Sequence, residues 1–580
     1  MTTPNPVISL GLLFAGCTSY IGDQDPYEKT DTATEPDTDT DTDADTDTDT
    51  DADTDADTYT DTEPPCTAVG FETSPTPYPL PTAPVDWETP WSRLSQATYD
   101  NTCADGSYAR DADWYWSTFD LTGDGRADLV VFKDTCTDTD VGTTHWAVYE
   151  NTGAGYAASP IAWPVPQASV DWTNPWYQPS QDAAGNTCAD GSNAGAADWR
   201  YSVFDLTGDA RADLVVTDDT CTDAAIGTER WNVYVNHGAG FDRSPTAWAL
   251  PVAPVSDPGP YDQTSRSDTT RTCADGTQPR SAAWNYSVFD LTGDGRVDLV
   301  TTRDACTSAD LGVDHWQVNE NTGAGFDAVA ARWSLPRAAV GGDTPFATTS
   351  LSVSGATCAD GTQSRSAGAS FTTFDLTGDA APDLVYTWDT CTDPAIGADH
   401  WAVYPNRGAG FDTGAVDWPL PAGSISGDHP WSQTSAASAG ETCADGSQPG
   451  TAGWYYTTTD LTGDGLPDVV ESLDTCGDPD VGVDHWAVYP NTGAGFDPTA
   501  VDWTLPPTPL RRTASWYQTA QTYGGESCAD GAQPYAADLA YSVFDLDGDG
   551  LPDLVLTQTS CDDAAVGVTR WDAYRGTCGP

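Results

Sequence analysis

Six segments of this chain carry acidic side chains at a spacing that can hold a hard cation. Asp-Leu-x-Gly-Asp begins at Asp120, Asp205, Asp290, Asp375, Asp460 and Asp545, each 85 residues after the last (205 − 120 = 85). The first reads Asp120-Leu121-Thr122-Gly123-Asp124-Gly125-Arg126-Ala127-Asp128, with side-chain oxygens at loop positions 1, 3, 5 and 9. Calcium takes about six to eight oxygens from carboxylates, carbonyls and water. Alternate side chains at positions 1, 3 and 5 can point inward, and a carbonyl at position 7 adds another oxygen. Gly at position 6 permits the sharp turn. Such loops would hold structural calcium that ties two strands and neutralises clustered Asp. Magnesium suits them less, because it demands octahedral geometry and dehydrates reluctantly.

The ligand sets read from this pattern are Asp120, Thr122, Asp124 and Asp128; Asp205, Thr207, Asp209 and Asp213; Asp290, Thr292, Asp294 and Asp298; Asp375, Thr377, Asp379 and Asp383; Asp460, Thr462, Asp464 and Asp468; and Asp545, Asp547, Asp549 and Asp553. They are unequal. The last has four carboxylates and is expected to bind tightest. Ala210 and Ala380 replace the position-6 Gly in the second and fourth, which are expected to bind weakest. Plain Asp-Gly hairpin turns are the competing reading of any single loop. Six loops with Asp at positions 1, 5 and 9 favour calcium.

Other residues recur at the same interval. Cys103, Cys188, Cys273, Cys358, Cys443 and Cys528 open a Cys-Ala-Asp-Gly tetrapeptide, and a second Cys follows at Cys136, Cys221, Cys306, Cys391, Cys476 and Cys561. Regular Cys after an export signal reads as a disulfide framework, and the absence of Cys-x-x-Cys argues against zinc. A bridge within each repeat is expected, although spacing leaves pairing between neighbours open. Trp91, Trp176, Tyr261, Phe346, Trp431 and Trp516 also share one position, in connections of about 35 residues. Loops of that length are usually functional or disordered. Flat aromatics there could stack on sugar rings or meet a protein partner, or pack between repeats. His145, His315, His400 and His485, with Arg230 and Arg570, put one cation per repeat beside a local Asp. No nucleophile elbow, zinc-protease motif or phosphate loop occurs, so an enzyme is not expected.

The elements that must position these residues follow from the repeat. Within the second repeat, strand-like segments fall at 199–204, 212–217, 230–235 and 240 to about 250, bounded by Gly, Asp and Pro. Four antiparallel strands per repeat make a propeller blade. The sequence therefore predicts an all-β, six-bladed β-propeller of four-stranded blades. Residues 66–86 match the last strand of a repeat: Gly70-Phe71 aligns with Gly155-Tyr156, and Tyr78 with Trp163. The final repeat stops after its third strand. An N-terminal strand joining the last blade would close the ring and remove exposed edges. Cys66 and Cys578 both fall in the turn of that shared blade, so a Cys66–Cys578 bridge is expected to lock it.

The loop, followed by Leu129-Val130-Val131 and Asn151-Thr152-Gly153-Ala154-Gly155-Tyr156, resembles the FG-GAP/VCBS repeats of integrin-type propellers. The resemblance spans residues 66–580 and implies calcium in the loops between the first two strands of each blade. This chain departs from the family in lacking literal Phe-Gly and Gly-Ala-Pro pairs and in having Thr at position 3 of five loops.

Composition bounds the partners. Lys and Arg number 22 against 89 Asp and Glu, for a formal net charge of −67. Nucleic acid and anionic lipid surfaces are excluded, because both need clustered cations. The apolar run 7–16 is too short to span a bilayer and suits a signal core. It ends Leu13-Phe14-Ala15-Gly16-Cys17, which resembles the lipobox of bacterial lipoproteins; that resemblance implies lipidation of Cys17 and, with Thr18 following, outer-membrane or cell-surface localisation. The Asp/Thr-rich stretch that follows cannot form a core and self-repels. The expected organisation is a signal peptide at 1–17, a disordered linker at 18–64 and the propeller at 65–580. The expected role is a monomeric, lipid-anchored, calcium-binding module for glycan or protein ligands. A calcium-dependent polysaccharide lyase and a passive envelope or matrix protein are the alternatives.

Overall fold

A computed structural model describes residues 68–578 of the chain. Every regular element among the described residues is a β-strand. The first are β1 (Ala68–Phe71) and β2 (Thr76–Pro79). The first full repeat then supplies β3 (Ser95–Asn101), β4 (Ala112–Phe119), β5 (Asp128–Asp134), β6 (His145–Tyr149) and β7 (Ile161–Pro164). These five form one sheet in chain order, antiparallel throughout. The chain is a β-propeller of such repeated blades.

The expected six four-stranded blades are corrected. There are five regular blades, each of five strands, and beside them one sheet of seven. The extra strand is β3, inside a segment read from sequence as loop. Its residues, Ser95-Gln96-Ala97-Thr98-Tyr99-Asp100-Asn101, offer no apolar stripe, and its side chains alternate between exposed and half-buried. A polar edge strand buries little, so hydrophobic patterning does not reveal it. The seven-stranded sheet departs further. Its Val501–Thr504 strand pairs in parallel with β1, which pairs antiparallel with Gly576–Cys578. Elsewhere β2 joins the strand Arg570–Tyr574, with Tyr78 opposite Trp571.

Within a blade, burial rises from the β3 edge to the centre. All five residues of the run Asp128–Phe132 are buried, which suits its continuous Leu-Val-Val-Phe sequence. The core lies between blades rather than within one. Trp146 and Trp163 of the first repeat pack with Trp176, Trp199, Tyr201 and Phe241 of the second. Phe241 meets Trp146 edge to face at 5.4 Å. A β-bulge interrupts the β4–β5 ladder between Tyr115 and Trp116, and the same shift recurs in every repeat.

Candidate metal loops and the stapled face

The acidic loops are the turns between β4 and β5 and their counterparts. In the first, both oxygens of Asp120 accept backbone hydrogen bonds, from the N–H of Gly123 at 2.7 Å and of Gly125 at 2.8 Å. Asp128 accepts from the N–H of Leu121, Thr122 and Asn151. Asp124 accepts from the N–H of Arg126. The carboxylates at positions 1 and 9 thus hold the loop shape while their remaining lone pairs stay free.

Burial pushes these acids up. Asp128, Asp213, Asp298 and Asp383 rise to about 6, and Asp468 and Asp553 to about 7, against a backbone hydrogen-bond pull in the opposite direction. Asp120, Asp205, Asp290, Asp375, Asp460 and Asp545 move the same way for the same reason. Desolvated carboxylates without a counter-charge resist ionisation.

Position 3 provides the test of whether a cation fits. The hydroxyls of Thr207, Thr292, Thr377 and Thr462 and one carboxylate oxygen of Asp547 are buried without a hydrogen-bond partner. Buried polar oxygens are normally satisfied, and a cation bound in these loops would satisfy these five. In the last loop the carboxylates of Asp545, Asp547 and Asp553 lie within 4.8 Å of one another. The donor set is all oxygen, the chemistry of a hard cation.

The loops are unequal in ways the sequence pattern did not reveal. Position-7 arginines face the position-5 acids in the first three repeats: Arg126 to Asp124 at 3.2 Å, Arg211 to Asp209 at 2.6 Å and Arg296 to Asp294 at 3.6 Å. Ala381, Leu466 and Leu551 stand there in the others. Arg575 reaches the other oxygen of Asp547 at 2.6 Å, and Asp549 turns to the Leu551 N–H. Three acids therefore converge in the last loop rather than four. Ala210 and Ala380 adopt φ of 64° and 67°, the left-handed region that a Cβ disfavours.

A set of asparagines missed in the sequence reading ties the loops together. Asn236 Nδ2 donates to the Leu121 carbonyl in the preceding repeat's loop at 2.8 Å. Asn321, Asn406 and Asn491 do the same to Leu206, Leu291 and Leu376, and Asn151 to Leu546. The signal was the Asn that recurs with the repeat, but its partner lies 115 residues away.

At the opposite end of each blade the cysteines pair within repeats: Cys103–Cys136, Cys188–Cys221, Cys273–Cys306, Cys358–Cys391, Cys443–Cys476 and Cys528–Cys561. Each joins the β3–β4 turn to the β5–β6 turn. Cys17 and Cys66 lie outside the described residues, as do 1–17 and the linker 18–64; the backbone of Cys578 stands opposite Ala68.

The aromatic ligand positions are corrected. Trp91, Trp176, Tyr261, Phe346, Trp431 and Trp516 are all at most 2% exposed. The connection after β7 must return to the far end of the next blade, so it runs between blades and buries its aromatic there. Trp176 packs on Trp199 and Tyr201 at 4.7 Å each and donates to the Pro166 carbonyl at 2.8 Å. Its own carbonyl accepts from Trp146 Nε1, a link repeated in all six repeats. Such rings cannot stack on an external sugar. The His and Arg side chains at the shared repeat position meet aspartates: His145 with Asp138, His315 with Asp314, His400 with Asp417, His485 with Asp484, Arg230 with Asp223 and Arg570 with Asp563.

No family model matches the chain, and no curated protein does. Among solved structures it is similar to the Photorhabdus luminescens Tc holotoxin pore, at 14% identity and a TM-score of 0.38, covering 88% of this chain and 15% of that one. An Agrocybe aegerita lectin described as recognising non-reducing terminal N-acetylglucosamine gives 15% identity and a TM-score of 0.30, covering 82% and 87%. BBS1N in complex with ARL6DN gives 11% and 0.22, covering 80% and 92%. The chain thus spans a small part of the first of these proteins.

Proposed function

We propose that this chain is an extracytoplasmic, calcium-stabilised propeller that binds glycan or protein ligands, and acts as a binding module rather than a catalyst. The observation that carries the calcium reading is the row of buried, unpartnered oxygens at loop position 3. Calcium would be held by the side chains at positions 1, 3, 5 and 9, most completely at Asp545, Asp547 and Asp553. There it would satisfy the orphan oxygens, offset the buried carboxylate charge and fix two strands, as in the FG-GAP/VCBS repeats these loops resemble. Six disulfides support an oxidising compartment. Lipidation at Cys17 would tether the molecule to a membrane surface. The binding reading rests on a stapled, repeated framework whose surface side chains differ from blade to blade.

The test is a glycan and polysaccharide array probed with the oxidised chain in millimolar calcium. Saturable binding, lost with chelator, is the expected result. A folded, calcium-loaded sample that binds no glycan and captures no surface protein would overturn the binding reading.

A further inference from the structure

One groove among the blades carries two adjacent arginines that its equivalents lack. The β4–β5 bulge sets one residue pair per repeat at the same place: Tyr115 with Lys133, Arg200 with Asp218, Asn285 with Arg303, Ser370 with Trp388, Tyr455 with Leu473 and Ala540 with Gln558. Bulges re-aim side chains and are common next to functional sites. The framework around these pairs repeats closely, while the pairs themselves do not.

Beside Tyr455 and Leu473 lies a depression of about 340 Å³, lined also by Arg512, Thr513, Ala514 and Tyr517. That volume falls in the range of small-molecule sites, roughly 300–1,000 Å³. Tyr455 and Tyr517 stand 5.2 Å apart, and Tyr517 lies 5.9 Å from Tyr523. The Arg512 guanidinium sits over Tyr517 at 5.5 Å and over Tyr523 at 4.7 Å. One nitrogen of Arg512 meets Glu526 at 2.7 Å, which leaves other N–H groups of the fork facing outward. Arg511 is exposed beside it.

The repeat shows how unusual this is. The positions equivalent to Arg511 and Arg512 are Asp86-Trp87, Asp171-Trp172, Ser256-Asp257, Gly341-Gly342 and Ser426-Gly427. Two cations stand where the other repeats have Asp, Trp, Ser or Gly, in a chain with 22 cations against 89 acids. In the second repeat the groove closes on itself, Arg200 being consumed by Asp182, Asp218 and Asp262; in the first, Tyr115 and Tyr177 recur 5.6 Å apart under Lys133, which pairs with Asp113.

We propose that the Tyr455–Leu473–Arg512–Tyr517 groove binds the carboxylate-bearing sugar of an acidic saccharide. The half-buried faces of Tyr455 and Tyr517 take the pyranose ring, and Arg512, held flat by its tyrosines and assisted by Arg511, takes the carboxylate. This rests on the glycan-binding reading above and names the ligand class and the site.

The probe is a hexasaccharide of alternating glucuronate and N-acetylglucosamine, compared with its carboxyl-reduced counterpart, titrated into the full oxidised chain in calcium. The expected result is binding of the acidic probe at least tenfold tighter than the reduced one. Arg512→Ala should erase that preference, and Tyr517→Ala should weaken both. Arg512→Lys, which keeps the charge but not the fork, should retain part of the preference. Circular dichroism and denaturation midpoints matching the parent show that each variant is folded. Equal binding of the two probes, or unchanged preference in folded Arg512→Ala, overturns the proposal. If the chain binds other glycans but not the acidic probe, the site assignment falls and the binding-module reading stands. If no glycan binds at all, this proposal falls with the glycan arm of that reading.

Discussion

Replacing Trp176 with Ala separates a structural ring from a ligand-contacting one. The indole is 1% exposed, packs on Trp199 and Tyr201, and donates to the Pro166 carbonyl. Truncating a buried Trp costs about 3–5 kcal/mol through lost transfer energy and the cavity left behind. The orphaned carbonyl adds about 1–3 kcal/mol if water cannot reach it. The two aromatic contacts contribute about 0.5–1.5 kcal/mol each beyond area, and these terms overlap. The expected loss is about 4–5 kcal/mol. Trp176→Phe should cost less than half of that, because Phe346 fills the equivalent position in the fourth repeat, 0% exposed. Urea denaturation of the oxidised, calcium-loaded chain reads both. Hydrogen exchange should localise the loosening to the strand Ala197–Phe204, on which the ring packs. A Trp176→Ala protein as stable as the parent would refute the buried-anchor argument.

Other consequences are equally open to measurement. Glu471 stands alone among Val131, Val216, Thr301, Tyr386 and Leu556, accepts from Trp454 and Tyr489, and is pushed by burial up to about 7. Between about pH 4.5 and 7 the folded state keeps a proton that the unfolded chain releases, so stability falls as pH rises through that window, by on the order of 3 kcal/mol. Glu471→Gln should therefore match the parent near pH 4.5 and exceed it at pH 8 in urea midpoints; an equal difference at both values refutes this. Millimolar calcium should raise the thermal midpoint and chelator lower it, with Asp553→Asn losing more of the rise than Asp383→Asn; each site at a hundredfold excess over its Kd contributes about 2.7 kcal/mol. Replacing Cys358 and Cys391 together by Ser opens a staple of separation 33 and should cost about 3–4 kcal/mol in the chain-entropy model.

What the sequence by itself determined is what one repeat carries locally and its recurrence multiplies. The 85-residue interval, the short β-rich segments and the Asp-Gly turns specify a propeller of repeated blades. The paired Cys positions could be read as staples, because both partners lie in one repeat. What only the tertiary structure decided depends on neighbours far along the chain. Strand β3 is polar and pairs at an edge, so its pairing with β4, not its own pattern, makes it a strand. Trp176 looked available because it sits in a long connection; that connection passes between two blades and carries the ring into the core. The Asn236 side chain finds its acceptor 115 residues back, and Arg575 finds Asp547 across a turn. The groove at Arg512 draws residues from Tyr455 to Tyr517 and becomes a site only when bulge, connection and strand meet. A repeat fixes its own hydrogen bonds and turns, but burial and convergence are set by the packing of one blade on the next.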